Sequence, residues 1–392
     1  MPDAVIVSAV RTAIGTARKG TLSETEASVL ALPVIEESLS RTGLAPADID
    51  DLILAESLYG GGVIARYAAV VAGLDTVPGL AHNRHCASGL AAVQTASASI
   101  MAGMDRAVIA GGVQSSSTSP REKRRIAGTD EWEDWMSPSH PETPEAPAFD
   151  MSITVGWNTA RAVGATREDM DAWALRSHER AIAAIDEGRF ADEIVPVKVT
   201  TRDGSAVVFD TDEHPRRGST MEKLASLRPL HPEIEGFSIT AGNASGINDA
   251  ASALVVTSDA FAADRGLTPL ATVRSWASVG VEPKDTGMAP TTAIPKALER
   301  AGLTVSDVDL FEINEAFASV PIACVRVLDL DEDRVNISGS GCSLGHPIAA
   351  TGARMLTTLV YDLARRGGGI GVAAMCAGGG MGSATVIEVA AR

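Results

Sequence analysis

Residues 83–113 read NRHCASGLAAVQTASASIMAGMDRAVIAGGV, and this stretch decides the fold. A polar turn carries Cys86. The run from Ala87 to Ala102 follows, small and apolar, with no proline and a single glycine at its start, so it reads as a buried helix opening at the cysteine. Ala107 to Val113 then reads as a covered strand running into Gln114-Ser115-Ser116-Ser117. A buried helix feeding a covered strand is the signature of an α/β domain. A thiol in the first turn of such a helix would meet unpaired N–H groups and the positive end of the helix dipole, which favours the thiolate. The plainer alternative is that Cys86 is a small buried hydrophobe.

The same alternation extends in both directions. Ala4 to Val10 is a short apolar strand, Ser23 to Leu39 an amphipathic helix and Asp50 to Glu56 a second strand, followed by the glycine turn Gly60-Gly61-Gly62. At Ser119 the pattern breaks, and from there to Ser245 the chain is richer in charge, proline and tryptophan. This segment holds a basic run (Arg121, Lys123, Arg124, Arg125), an acidic run with Trp132 and Trp135, and a helix from Arg167 to Glu187. It reads as an inserted domain or lid whose charge runs are solvated faces. Alternation resumes with strands at Ala251–Thr257, Ala271–Val279 and Val308–Ile313 and helices at Ser258–Arg265, Thr291–Ala301 and Ala316–Leu328. A helix at Gly352–Leu363 and strands at Ile370–Met375 and Ala384–Val389 complete the chain. The expected division is 1–118 with 247–268 as a first half, 119–246 as the insertion and 269–392 as a second half. Each half carries a reactive-looking residue at a strand–helix junction, and two such halves packed face to face would bring those loops together.

Composition narrows the function classes. The 392 residues exceed one ordinary core. Hydrophobic content is 45% but aromatic content only 4%, so the core is built of Ala, Val, Leu and Ile. A net charge of −17 argues against nucleic acid and against an anionic membrane surface, and it obliges any anionic ligand to find a local basic patch. Four cysteines in so long a chain are no disulfide framework and suit a reducing compartment. No apolar run approaches the roughly 20 residues that span a bilayer, and the N-terminal residues lack the basic start of a signal peptide. A cytoplasmic protein is expected.

Three later stretches look chemical. Glu312-Ile313-Asn314-Glu315-Ala316-Phe317 lies where a strand becomes a helix, and Asn314 could cap that helix or orient a water or a carbonyl. Gly339 to Pro347 (GSGCSLGHP) is a glycine-dense loop presenting His346, able to take a proton from a thiol or to donate to an oxyanion. Cys376-Ala377-Gly378-Gly379-Gly380 places a second thiol beside exposed backbone N–H groups. Two cysteines, one histidine and one asparagine on strand ends and glycine loops are what carbon–carbon bond chemistry on a thioester needs. Cys86 would carry the acyl group, His346 would activate it and Cys376 would move a proton to or from the acetyl carbon.

With these residues in place the chain resembles the thiolases over essentially its whole length. The resemblance rests on Asn-x-x-Cys-x-Ser-Gly at Asn83 to Gly89, Asn-Glu-Ala-Phe at Asn314 to Phe317, Gly-His-Pro at Gly345 to Pro347 and Cys-x-Gly-Gly-Gly at Cys376 to Gly380. The stretch Thr240 to Gly246 (TAGNASG) is similar to the family's coenzyme A segment. The resemblance implies an α/β fold of two similar βαβαβαββ halves forming a layered α/β/α/β/α core, with a loop domain inserted in the first half. It implies an acyl-Cys86 intermediate, one oxyanion hole from His346 and a water held by Asn314, and another from the backbone N–H groups of Cys86 and Gly378. Coenzyme A or acetyl-CoA is then the substrate, with no metal or redox cofactor. It would be gripped by Arg216, Lys223, Ala241, Gly242, Ser245 and Phe317, with Arg217 adding local positive charge. A homodimer or homotetramer and a place in fatty-acid β-oxidation follow from the same likeness.

The sequence also departs from the family. His82 stands where an aliphatic residue is usual, Ser340, Cys342 and Ser343 alter the loop before Leu344-Gly345-His346-Pro347, and Ala349 stands where glycine is common. Thr286 stands where short-chain members tend to have methionine, and Asp150 to Trp157 is an unusual lid sequence. These leave the acyl chain open, and Thr286 in place of methionine leans away from a strict acetoacetyl enzyme. A ketoacyl synthase shares the fold but has no need of Cys376. A non-catalytic lipid-binding relative would not need the Cys86, His346 and Cys376 set, and a zinc site lacks the ligand spacings.

Overall fold

A computed structural model describes residues 2–57, 59 and 63–391 of the chain; the glycine turn at 60–62 lies outside them. The first half runs β1 (Ala4–Thr12), α1 (Ala27–Thr42), β2 (Asp51–Ala55), α2 (Ile64–Val71), β3 (Gly79–His82), α3 (Ser88–Met101) and β4 (Ala107–Ser115). The insertion carries one long helix, α4 (Arg167–Asp186), before β5 (Asn248–Ser258) returns to the first half. The second half is β6 (Ala271–Gly280), α5 (Ala289–Ala301), β7 (Leu310–Ile313), α6 (Ser319–Leu328), α7 (Ile348–Arg365), β8 (Gly369–Ala377) and β9 (Met381–Val389).

The two halves repeat one topology. In the first, β1 pairs antiparallel with β5, β5 antiparallel with β4, and β4 parallel with β2. In the second, β6, β9, β8 and β7 follow in the same order and the same senses. The first half adds β3 in parallel at its edge. In the second half that place is reduced to one parallel bridge between Phe311 and Val335. The half-sheets join where Val5 lies opposite Thr272 and Ile6 opposite Ala271, giving a continuous eleven-stranded sheet.

Helices α3 and α7 lie between the half-sheets, in a core that gathers Leu90, Val93, Leu254, Leu356, Leu359 and Ile387. Burying each such side chain contributes about 1.5–3 kcal/mol. The two helices cross closely because Gly89 and Gly352 have no side chains. A Cβ on Gly89 would stand 2.7 Å from the backbone nitrogen of Ala353. Helix α1 covers the outer face of the first half and α5 that of the second, each over its own apolar cluster. The order is therefore α/β/α/β/α.

The insertion is irregular apart from α4, which opens with a capping box between Thr166 and Asp169. Its basic and acidic runs form an exposed antiparallel hairpin, Glu122–Arg125 against Trp132–Trp135. Arg124 pairs with Glu133 at 2.7 Å and lies over the ring of Trp135. A π-helical turn, Ser152–Trp157, occupies the unusual lid sequence. Helix starts differ from expectation where a corner intervenes. α1 begins at Ala27, after a turn through Ser23 and Thr25. α6 begins at Ser319, because residues 314–318 form a bend. α7 begins at Ile348, directly after Pro347, whose fixed φ suits the cap.

Candidate active site

Cys86 does not sit in the first turn of α3. It lies two residues earlier, in a turn where Ala87 N–H donates to Arg84 and Ser88 N–H to His85. His85 is held at φ 47°, a region sparsely occupied by non-glycine residues. The turn is kept in this shape by side chains. Asn83 Oδ1 accepts from His85 N–H at 2.9 Å and from Ser57 Oγ at 3.2 Å. Ser88 Oγ accepts from Arg84 N–H at 2.6 Å. The thiolate expectation is corrected accordingly. Burial of the Cys86 thiol pushes its pKa above the ordinary range, and the N–H groups of Gly378 and of Cys86 itself only partly offset this. The larger of these two offsets comes from Gly378, in the second half of the molecule.

His346 is buried, and its hydrogen bonds fix its tautomer. Thr351 Oγ1 donates to the carbonyl of Pro347 at 2.9 Å, so it must accept from Nδ1–H of His346 at 2.7 Å. Nε2 is left as the bare nitrogen, with Asn314 Nδ2 at 3.5 Å. Burial, with Arg354 adding to it, pushes the imidazole pKa down to about 3, so the ring is a neutral acceptor. The backbone of His346 is tied to the first half, its N–H donating to Asn248 Oδ1 at 3.0 Å. Asn314 is fully buried and does not cap α6, whose N-cap is Ala318. Its backbone N–H donates to Ala374 at 3.0 Å, while its Oδ1 is buried with no partner among the described residues. An unpartnered amide oxygen beside a histidine nitrogen is a seat for a polar ligand atom or a water.

Cys376 lies within β8, opposite Gly382 of β9, and is 2% exposed. Burial first, then the neighbouring Cys86 and Cys324, hold its thiol well above the ordinary range. The turn after it needs glycine, since Gly379 and Gly380 have φ of 86° and 78°. Gly380 N–H donates to Thr286 Oγ1 at 3.0 Å, and Thr286 Oγ1 donates to Pro283 O at 2.6 Å. Thr286 thereby pins the turn that aims Gly378 at Cys86. Four segments distant in sequence thus converge: the Cys86 turn, the Asn314 corner, the His346 loop and the Cys376 turn.

The chain matches the family model for the thiolase N-terminal domain over residues 4–260 and that for the thiolase C-terminal domain over 267–389. The chain belongs to the thiolase family. Among its relatives, an acetyl-CoA acetyltransferase of Cupriavidus necator is 41% identical, across 99% of this chain and 100% of that protein. A 3-ketoacyl-CoA thiolase of Bacillus subtilis is 39% identical, across 99% and 100%. The crystal structure of a Bacillus anthracis acetyl-CoA acetyltransferase superposes with a TM-score of 0.90 at 40% identity, covering 99% of each chain.

Within this thiolase three of the departures from the family pattern, Ser340, Cys342 and Ser343, join one polar network. Ser340 Oγ donates to Glu312 Oε1 at 2.9 Å, and Glu312 pairs with Arg354 at 2.6 Å, both buried. Ser343 Oγ meets Ser177 Oγ at 2.7 Å, which fastens the His346 loop to α4. Glu315 is buried and accepts from Trp173 Nε1, Ser177 Oγ, Asn336 Nδ2 and the Cys342 N–H at 2.6–3.0 Å. Sequence reasoning missed Thr351 and Asn248 as parts of the site, took Thr286 only as a departure bearing on the acyl chain and quoted Glu315 only within a motif. For Thr351 and Asn248 a polar side chain beside a buried run was the available signal.

The candidate coenzyme A residues divide into two groups. Ser245 N–H donates to Ala316 O at 3.0 Å and Ala244 bridges to Phe317, so this stretch lies against the Asn314 corner. Gly242 packs on Leu224 and Leu227, and Ala241 is exposed beside it. Arg216 and Lys223 are exposed on the loop and short helix that precede this stretch. Arg216 N–H donates to His178 Nδ1 at 3.2 Å, and Lys223 Nζ to Gly218 O at 2.6 Å. Among the described residues no helix is long and apolar enough to cross a membrane.

Proposed function

We propose that this protein cleaves 3-ketoacyl-CoA with coenzyme A into acetyl-CoA and a shortened acyl-CoA, and runs the reverse condensation, through an acyl group on Cys86. His346 Nε2 takes the Cys86 proton, and the sulfur attacks the 3-keto carbon. The carbon–carbon bond breaks, and the departing acetyl-CoA carbanion takes its proton from Cys376. Incoming coenzyme A gives its thiol proton to the Cys376 thiolate and attacks the acyl group on Cys86. The released Cys86 sulfur recovers its proton from His346. The negative charge that develops on the acyl oxygen meets the N–H groups of Cys86 and Gly378. That on the acetyl thioester oxygen meets His346 and a water on Asn314.

We assign the hold on coenzyme A to Arg216, Lys223, Ala241, Gly242 and Ser245, within a lid formed by residues 119–246, together with Phe317 of the second half. Fatty-acid β-oxidation in the cytoplasm is the setting that fits this chemistry. Self-association is proposed through β3, an edge strand with Leu80 exposed and Tyr67 and Val71 of α2 exposed nearby.

The observation that supports this reading most is His346, whose tautomer leaves Nε2 bare at 3.5 Å from Asn314 Nδ2, beside an Asn314 Oδ1 with no partner among the described residues. Incubation with acetoacetyl-CoA should add an acetyl group to Cys86, located by peptide mass spectrometry. An acetyl group found elsewhere, or none at all, would remove the reading.

A further inference from the structure

Two parts of the insertion lie against the entry to the 240–246 stretch. The first is the π-helical turn Ser152–Trp157. A Cβ on its Gly156 would stand 2.9 Å from Phe317 Cδ1 and 3.0 Å from Ile239 Cγ1, and Ser319 Oγ donates to Gly156 O at 2.9 Å. The second is the segment 229–231. Pro229 forms an antiparallel bridge with Thr240, and Leu230 N–H donates to Ile239 O at 2.9 Å. Both parts therefore touch the residues that lead into Ala241, Gly242 and Ser245.

One imidazole ties the two together. His231 Nε2 stands 2.8 Å from Asp150 Oδ2, and Nδ1 stands 2.8 Å from Glu233 Oε1. Ionised carboxylates only accept, so both ring nitrogens must carry protons and the ring is an imidazolium. Asp150 also braces the start of the turn, its Oδ1 accepting from Ser152 N–H at 3.0 Å and from Ser152 Oγ at 2.6 Å. The ring stands edge-on to Phe237 at 5.0 Å, and Phe237 packs at 5.3 Å on Trp157, the last residue of the turn. A π-helical turn is uncommon and tends to mark a functional site.

The hydrogen bond to Glu233, then the charge of Asp150, raises the imidazole pKa above its ordinary value. Of the other charges on these elements, Arg228 acts on Glu233, Glu235 is exposed two residues further on, and Arg161 of the lid lies over the Trp157 ring at 5.9 Å.

We propose that His231 and Asp150 are positioning residues for coenzyme A: the charged ring holds the lid turn on Phe317 and the 240–246 stretch, and the hold loosens when the ring loses its proton. A neutral imidazole has one N–H and one bare nitrogen, so one of the two carboxylates would then face a lone pair. A group whose pKa is raised by the fold gives its support in full at low pH and loses it as pH rises through the raised value. The pair is partly exposed, so the effect is a few-fold and not an all-or-none switch. This inference rests on the thiolase reading and on the seat it gives coenzyme A.

The test is thiolysis by the full chain of acetoacetyl-CoA or 3-ketodecanoyl-CoA, whichever turns over faster. kcat and the KM for coenzyme A are measured from pH 6 to pH 9 in wild type, His231→Gln, Asp150→Asn and Glu233→Gln. Dividing each variant's KM by the wild-type value at the same pH removes the titration of the coenzyme A thiol and of the two cysteines, which all four share. His231→Gln and Asp150→Asn are expected to raise KM about three- to fivefold at pH 6 with kcat within about twofold, and the ratio falls toward one at pH 9. Glu233→Gln keeps the contact with Asp150 but lowers the ring's pKa, so its ratio is near one at both ends and rises between them. A ratio of one at every pH, a raised ratio that pH does not move, or a loss confined to kcat overturns the inference, while thiolysis leaves the thiolase reading standing. No thiolysis and no acyl group on Cys86 in the wild type overturns both.

Discussion

Cys86 and Cys376 are the same side chain in neighbouring positions, prepared in different ways. Cys86 stands in a turn ahead of a helix, partly exposed, and the N–H groups of Gly378 and of Cys86 itself partly offset the rise that burial gives its thiol. Cys376 stands inside a strand, 2% exposed, and the charged form of its thiol would face another thiol across the site. Burial raises both; the N–H of Cys376 offsets its own rise, whereas Cys86 has its own N–H and that of Gly378 from the other half. The difference teaches that backbone N–H groups, more than sequence neighbours, decide which sulfur carries charge first. On this reading one thiol is the nucleophile and the other is the acid that returns a proton.

Substitution of the cysteines tests this assignment with the largest effects. Cys86→Ser is expected to cut thiolysis about a thousandfold or more and to abolish acylation, read by turnover and by intact mass. Persistent acylation would transfer the nucleophile's role elsewhere. Cys376→Ala is expected to lower carbon–carbon bond formation and cleavage by about 10²–10⁴-fold, the usual contribution of a general acid. It should still take an acetyl group from acetyl-CoA onto Cys86, though more slowly, because Cys376 also protonates the departing coenzyme A. Loss of both steps together would mean that the two thiols are not divided in function.

Alkylation gives a smaller and more discriminating effect. Both thiol pKa values are raised, so the thiolate fraction of each grows as pH climbs, and neither is expected to react quickly near neutrality. Iodoacetamide is therefore expected to label Cys86 at a rate that rises through the alkaline range, while Cys376 lags at least tenfold at every pH. The neutral state of His346 persists down to about 3, so no acid limb from this residue is expected in the labelling profile between pH 5 and 8. Equal labelling of the two cysteines would erase the distinction.

What the sequence reveals of this arrangement follows the range of the interactions. Strands such as Ala107–Ser115 and helices such as Ser88–Met101 are legible because their hydrophobic pattern is local. The reactive residues are legible because glycine and polar residues interrupt buried runs at strand ends. The edge strand Gly79–His82 carries no β-branched residue and leaves little trace. The direction of the Cys86 shift is not legible either, since it depends on a desolvated pocket and on Gly378, far along the chain. The same holds for Asn248, whose Oδ1 receives the His346 N–H across 98 residues. Such contacts are set by the packing of the halves, which no local pattern encodes.

Thr286 offers the finest test of the contrast between the thiols, because it touches neither sulfur. Its hydroxyl accepts from Gly380 N–H and donates to Pro283 O, holding the turn that presents Gly378 to Cys86. Thr286→Val keeps the shape but leaves both partners unsatisfied, a loss of about 1–3 kcal/mol where it is felt. If the turn loosens, the Gly378 N–H supports the Cys86 thiolate less, so the Cys86 labelling profile shifts to higher pH and kcat falls by about tenfold with a smaller change in KM. Cys376 labelling, which does not draw on that donor, keeps its profile. Thr286→Ser restores the hydroxyl and with it the Cys86 profile. A threonine that mattered only for packing would give the opposite ranking, with valine close to wild type and serine impaired. Profiles that move together in both cysteines would show that the turn serves the whole site and not Cys86 alone.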